Sequence, residues 1–139
     1  MNIVFSGSIA FDHLMTFPGY FRDYIMSDNL ESLSLSFLTD TKTVHRGGNA
    51  PNIAYNHVLL GGKATVLGTV GQDFYDYGTW LDSVGVDTTG IVEIQDEFTA
   101  SFYATTDRNN AQIASFYPGA MSHSSKLNIS NLDFRPDLV

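Results

Sequence analysis

The run from Arg46 to Gly71, RGGNAPNIAYNHVLLGGKATVLGTVG, constrains the chain more than any other stretch. Two adjacent glycines, Gly47 and Gly48, let the backbone turn tightly and come close to a ligand. Asn49 offers an N-cap oxygen, and Pro51 suits a first helical turn. The helix that follows is expected to bury Ile53, Ala54, His57 and Val58 along one side and to stop at Gly61 and Gly62. Lys63 to Val70 reads as a buried strand closed by Gly71. A glycine-rich turn that opens into a helix N-terminus turns backbone N–H groups and the helix dipole toward polar ligand oxygens.

Composition removes several classes of function. The 139 residues are 43% hydrophobic and 16% charged, which suits one globular domain at most. Seven basic against fifteen acidic residues give a net charge of −8, which argues against a nucleic-acid or anionic-membrane surface. There is no cysteine, hence no disulfide framework and no thiolate zinc site. His13, His45, His57 and His123 lack the spacing of a metal site, and none is expected. The N-terminus has no basic leader and no apolar run reaches membrane-spanning length, so a cytoplasmic protein with no membrane partner is expected.

Asn2 to Phe5 is a short apolar strand running into Ser6-Gly7-Ser8, as expected for the centre of an α/β sheet. Ligands in such folds sit beyond the carboxyl ends of strands, which makes Ser8 and Asp12 candidate site residues. Asp12 reads equally as a turn or cap residue. Leu33, Leu35 and Phe37 alternate with Ser32, Ser34 and Ser36, the period of a half-buried strand, and Thr43 to His45 reads as a second. Together they suggest an accessory sheet. Ser36, opposite Phe37, reads by itself as a solvated serine. A further amphipathic helix is expected over Phe74 to Val84, capped by Asp73, ended by Gly85, and with Trp80 and Leu81 in the core.

Phe98 to Thr105 alternates with Phe98, Ala100, Phe102 and Ala104 on one face. Ala111 to Tyr117 resumes the alternation with Gln112, Ala114 and Phe116 on one face. A hairpin centred on Asn109, in the turn cluster Asp107-Arg108-Asn109-Asn110, sets Phe102 across from Phe116. Two readings stand: the rings pack on each other, or they flank a flat ligand ring. Ser122 to Val139 reads as a polar linker entering a strand at Leu138-Val139.

The glycine pair followed by Asn52, Ala54, Gly61 and Gly71 resembles the N-terminal signature of the ribokinase/PfkB family of sugar and nucleoside kinases. GSIAFDHLMTFPG, LSLSFL, HRGG and AQIASFYPGAM are similar to the corresponding segments of bacterial adenosine kinases, a branch of that family. The resemblance implies an α/β, ribokinase-like doubly wound sheet with a small β-sheet lid, whose strands would lie at about 32–46 and 98–117. It implies that Asp12 accepts hydrogen bonds from the ribose 2′- and 3′-hydroxyls, as a carboxylate can for a cis-diol. Gly47, Gly48 and Asn52 would serve the ribose, Ser8 and Ser36 the nucleoside, and Phe102, Phe116 and Gln112 the purine. Pro51 lacks an N–H, so no family contact can run through that amide.

The implied reaction is ATP-dependent phosphorylation of the 5′-hydroxyl of adenosine to give AMP, a purine-salvage step. It needs a base and an electrostatic clamp for the moving phosphoryl group. In the family both come from a C-terminal Gly-Ala-Gly-Asp motif, which these 139 residues do not contain. The expectation is therefore an N-terminal, substrate-binding portion with no catalytic residue of its own. ATP and Mg²⁺ would be bound by a C-terminal part absent from this chain, and these residues alone would be inactive. Homodimerisation through the lid sheet is a further implication. The alternatives are a ribokinase-like sugar kinase and a non-catalytic nucleoside-binding or assembly module.

Overall fold

The computed structural model describes residues 1–25 and 34–139. Ser32 and Leu33, where the first accessory strand was expected to begin, lie outside the described residues. The chain divides into two compact units.

The first unit comprises Met1–Phe11, Arg46–Ser101 and Tyr117–Val139. Its three-stranded parallel sheet has the order β1 (Ile3–Ser6), β4 (Ala64–Val70), β5 (Val86–Glu93). Every residue of β4 is buried, because a strand paired on both edges and covered on both faces meets no water. Two α-helices supply the crossovers, α1 (Asn49–Leu59) before β4 and α2 (Tyr75–Ser83) between β4 and β5. Ile9, Ala54, Val66, Val70, Tyr77, Leu81 and Val86 form the fully buried centre of the core. The expected strand at Leu138 is present as a parallel bridge to Ile3, with the Val4 N–H donating to the Leu138 carbonyl at 2.9 Å. The segment before it is not a plain linker, since Gly119–Lys126 and Ile129–Asn131 wind into 3-10 helix.

Several local expectations need correction. Ala54 is buried as expected, but Ile53 is 52% exposed, and α1 buries Ala50 and Pro51 beside Ala54. Small side chains allow the helix to sit close to the sheet, so the apolar stripe runs through alanines rather than through Ile53. The N-cap of α1 is Gly48 and not Asn49. Asp73 does not cap α2, whose N-cap is Phe74. Its carboxylate accepts the Thr99 N–H at 2.8 Å, while the Thr99 hydroxyl accepts the Gly71 N–H at 3.0 Å. The strand β5 was not foreseen. Asp87 is satisfied within it by the Thr65 hydroxyl at 2.9 Å and the Thr89 N–H at 3.0 Å. Burial acts to raise the Asp87 pKa, but these hydrogen bonds outweigh it and the net shift is downward.

The second unit comprises Asp12–His45, as far as it is described, and Phe102–Phe116. It holds most of a four-stranded sheet of order β3 (Thr41–Gly47), β2 (Ala10–Thr16), β6 (Ala100–Thr106), β7 (Gln112–Tyr117). No strand forms over residues 34–39, although burial still alternates there, with Ser34 and Ser36 exposed and Leu35 and Phe37 half-buried. Phe37 packs on Phe17 and Phe21 at ring-centroid distances of 4.9 and 5.2 Å, which fixes the segment by side-chain packing rather than by a ladder. Strand β2 was also missed. It places Asp12 inside a strand, so Asp12 is neither a turn nor a cap residue.

The β6–β7 hairpin turns on Asp107. Its N–H donates to the Ala111 carbonyl at 2.9 Å, its carbonyl accepts the Asn110 N–H, and Asn110 takes a φ of 61°. This is a three-residue loop with a left-handed residue before the second strand. The buried Asp107 carboxylate accepts the N–H groups of Phe21, Asn109 and Ala111 at 2.8–2.9 Å. The Phe21 amide leads in holding its pKa below the ordinary carboxylate value. A depressed folded-state pKa gives stability that is present above the unfolded value of about 3.9 and lost as pH falls through the folded value. Thermal melts below about pH 4 should therefore lose stability more steeply for wild type than for Asp107→Asn. Parallel slopes would remove this role. No helix among the described residues is long and apolar enough to cross a membrane.

Candidate functional site

Four of the sequence-predicted residues, Ser8, Gly47, Gly48 and Asn52, gather in the first unit where β1 ends and α1 begins. Gly48 has φ 96° and ψ 145°, a conformation that L side chains rarely adopt. A Cβ there would stand 2.3 Å from the Ser8 carbonyl oxygen and 2.7 Å from the Ile9 Cα, so the turn lies directly against the β1–β2 connection. Gly48 has no side chain to cap α1. Ser8 does it from 41 residues away: its hydroxyl oxygen accepts the Asn49 N–H at 3.1 Å and its carbonyl accepts the Ala50 N–H at 3.3 Å.

The expectation that this helix N-terminus turns its amides toward a ligand is thereby corrected. The Asn49 and Ala50 amides are used by Ser8, and Pro51 has none. The Gly48 amide, one residue earlier, takes no part in the cap. The Ser8 hydroxyl, accepting from Asn49, keeps its own hydrogen for donation. Asn52, in the first turn, is exposed, and its carbonyl accepts the Asn56 side-chain amide at 2.7 Å. A cavity of about 290 Å³ lies at the carboxyl ends of β1 and β4, lined by Ser6, Ser8, Thr69, Met121 and Ser124. A larger one, about 450 Å³, lies at the amino ends with Lys63 and Asp87. Open α/β sheets take ligands at the carboxyl ends, which favours the smaller cavity.

Asp12, Ser36, Phe102, Gln112 and Phe116 belong to the second unit. His13 of β2 stacks on Tyr103 of β6, with centroids 4.4 Å apart and planes 8° from parallel, so these two share a face of the sheet. Strand alternation then puts Asp12 and Phe102 on the other face. The Asp107–Ala111 pairing continues to Thr106 opposite Gln112, whose side-chain amide donates to the Thr106 hydroxyl at 3.0 Å. It continues again to Phe102 opposite Phe116. One face of the sheet thus carries Asp12, Phe102, Gln112 and Phe116: a carboxylate, two aromatic rings and an amide. Phe102 is half-buried and Phe116 is 50% exposed, which leaves ring surface open. Ser36 is exposed on the irregular segment rather than on a strand. Sequence reasoning had three of the four face residues together. It missed Asp12 among them because β2 was not seen.

The model of the pfkB family carbohydrate kinases matches residues 19–135. The chain is 36% identical to a nucleoside kinase of Methanothermobacter thermautotrophicus over 76 residues, covering 53% of this chain and 25% of that protein. It is 28% identical to a nucleoside kinase of Methanocaldococcus jannaschii over 114 residues, covering 80% of this chain and 38% of that protein. Among solved structures, the ligand-free nucleoside kinase of Burkholderia thailandensis superposes with a TM-score of 0.80 at 38% identity, covering 96% of this chain and 44% of the other. The same kinase in complex with inosine gives a TM-score of 0.75 at 37% identity, covering 96% and 41%. The chain spans less than half the length of each of these relatives. The match extends over most of the chain and includes the glycine turn, α1, strands β3 to β5 and the β6–β7 hairpin, so the chain belongs to the pfkB family of carbohydrate kinases.

Proposed function

We propose that this chain supplies the nucleoside-binding part of a kinase that transfers the γ-phosphoryl group of ATP to the 5′-hydroxyl of a purine nucleoside. The observation that carries the reading is the sheet face shared by Asp12, Phe102, Gln112 and Phe116. A sugar needs a carboxylate and amides but no aromatic pair; a nucleoside needs both. The family resemblance assigns Asp12 to the ribose 2′- and 3′-hydroxyls, the Gly48 amide and the Asn52 side chain to the ribose, and Ser8 and Ser36 to the nucleoside. Phe102 and Phe116 stack on the base, with Gln112 as a polar supplement. Adenosine is the substrate implied by sequence resemblance, whereas the complex of the Burkholderia thailandensis enzyme supports inosine. The two bases differ at one exocyclic position, and the stacking residues serve either.

In the reaction the 5′-oxygen bonds to the γ-phosphorus, the bond to the β–γ bridging oxygen breaks, and ADP leaves. None of the 139 residues is assigned as the base or the phosphoryl clamp. Among the described residues no group of three or more carboxylates or histidines converges. The family resemblance assigns ATP and its metal mainly to a C-terminal part, and on that reading the isolated 139 residues should form no AMP from adenosine and ATP. Detectable turnover by the pure chain would overturn that division of labour. Self-association, where it occurs, is placed on the lid sheet, whose strand β7 is exposed along its length.

The test is calorimetric titration of adenosine, inosine and ribose into the full-length protein, followed by Phe102→Ala. Stacking on one aromatic ring is worth about 0.5–1.5 kcal/mol beyond burial, and the buried area adds to it, so nucleoside affinity should fall about tenfold or more. Ribose affinity should stay put. Equal losses for nucleoside and ribose would favour a sugar kinase with merely packed rings.

A further inference from the structure

Tyr77 of α2 is 1% exposed, and its hydroxyl donates to the Gly47 carbonyl at 2.9 Å. Its ring meets Phe11, Phe74 and Trp80, with centroids 5.6, 5.3 and 6.0 Å away. Trp80, on the next turn, carries the Arg46 guanidinium 5.1 Å above its ring. Helix α2 therefore holds the two residues that immediately precede Gly48. A hydroxyl in this apolar surrounding is costly unless bonded, and a phenylalanine ring could fill the same space. What the hydroxyl adds is the orientation of one carbonyl.

That carbonyl shares a rigid peptide plane with the next amide. In a trans peptide the Gly47 C=O and the Gly48 N–H point in opposite directions, so holding the first aims the second. Glycine on both sides leaves the plane free to rotate, since neither residue has a Cβ to restrain it. We propose that Tyr77 is a positioning residue that aims the Gly48 amide at the ribose of the bound nucleoside. The proposal rests on the nucleoside reading above. Tyr77 touches no substrate on this view and acts through the peptide.

The experiment compares Tyr77→Phe with Leu81→Ala in the full-length protein, using adenosine and inosine as substrates. Leu81 is fully buried on the same helix, so its truncation destabilises the fold without touching the Gly47 carbonyl. Tyr77→Phe should raise the nucleoside KM about tenfold, leave kcat within about twofold and leave the KM for ATP unchanged. Leu81→Ala should lower the Tm more and the nucleoside affinity less. A second readout needs no substrate: the Gly48 amide resonance should move in Tyr77→Phe with no ligand present. An unmoved resonance, or a nucleoside KM equal to that of wild type, overturns the positioning role. Wild-type protein that phosphorylates no nucleoside instead overturns the underlying reading, and the ribose assignment falls with it.

Discussion

Asp12→Ala in the full-length protein should lower kcat/KM for the nucleoside by about 10²–10⁴-fold while leaving the KM for ATP and the melting temperature nearly unchanged. The magnitude follows from the chemistry: two hydrogen bonds to a charged acceptor are worth about 1.5–3 kcal/mol each, and 1.4 kcal/mol is tenfold. The small effect on stability follows from the position, a half-buried side chain on a strand rather than a core residue. Asp12→Asn is the sharper variant. It keeps size and one acceptor but replaces the second acceptor with a donor, which a cis-diol hydroxyl must then meet with its own oxygen. Steady-state kinetics with nucleoside and ATP varied separately decides the matter. A nucleoside kcat/KM within threefold of wild type in both variants would end the assignment of Asp12 to the sugar.

Gly48→Ala should destabilise the protein by about 3–5 kcal/mol, a large part of the 5–15 kcal/mol that holds a typical domain together. The Cβ would meet the Ser8 carbonyl oxygen at 2.3 Å and the Ile9 Cα at 2.7 Å, and both are backbone atoms that no rotamer change can move aside. The left-handed φ adds about 1–2 kcal/mol of its own. Gly61 separates the two contributions. It has φ 86° with nothing within 4 Å of an added Cβ, so Gly61→Ala should show only the smaller cost. Urea unfolding of both variants checks the difference. Equal midpoints would mean that the β1–β2 connection yields, and that the close approach does not hold the glycine turn in place.

The hairpin was legible because its signals are local. A turn cluster fixes the centre, period two fixes the faces, and the register then follows by counting. Strand β4 was legible because an unbroken apolar run bounded by glycines fits a doubly covered parallel strand. What escaped depends on partners far away in sequence. Asp87 gives no local signal of a strand, and its hydrogen-bond partner Thr65 stands 22 positions earlier. Asp73 reads as a cap until Thr99 claims its carboxylate. Ile53 is strongly apolar and was placed inside, yet close helix–sheet packing selects alanines. Strand β2 mixes Phe, Asp, His, Leu and Met with no clear alternation, because its two faces carry an aromatic stack on one side and Asp12 on the other. Ser8, Asp12 and the aromatic pair were singled out by position and alternation, and their roles by the family resemblance; the common face that joins Asp12 to the aromatic pair came from the sheet.

The cap that Ser8 places on α1 also bears on the order in which the chain folds. A helix capped by its own neighbour can start as soon as it is made, but α1 begins at a glycine and borrows its acceptors from 41 residues upstream. Closing a loop of that length costs about 3 kcal/mol in chain entropy, which the cap alone does not return. The first turn of α1 is therefore fully capped only when the β1–β2 connection lies against it. The element that reads most clearly along the sequence depends for its completion on a residue 41 positions away.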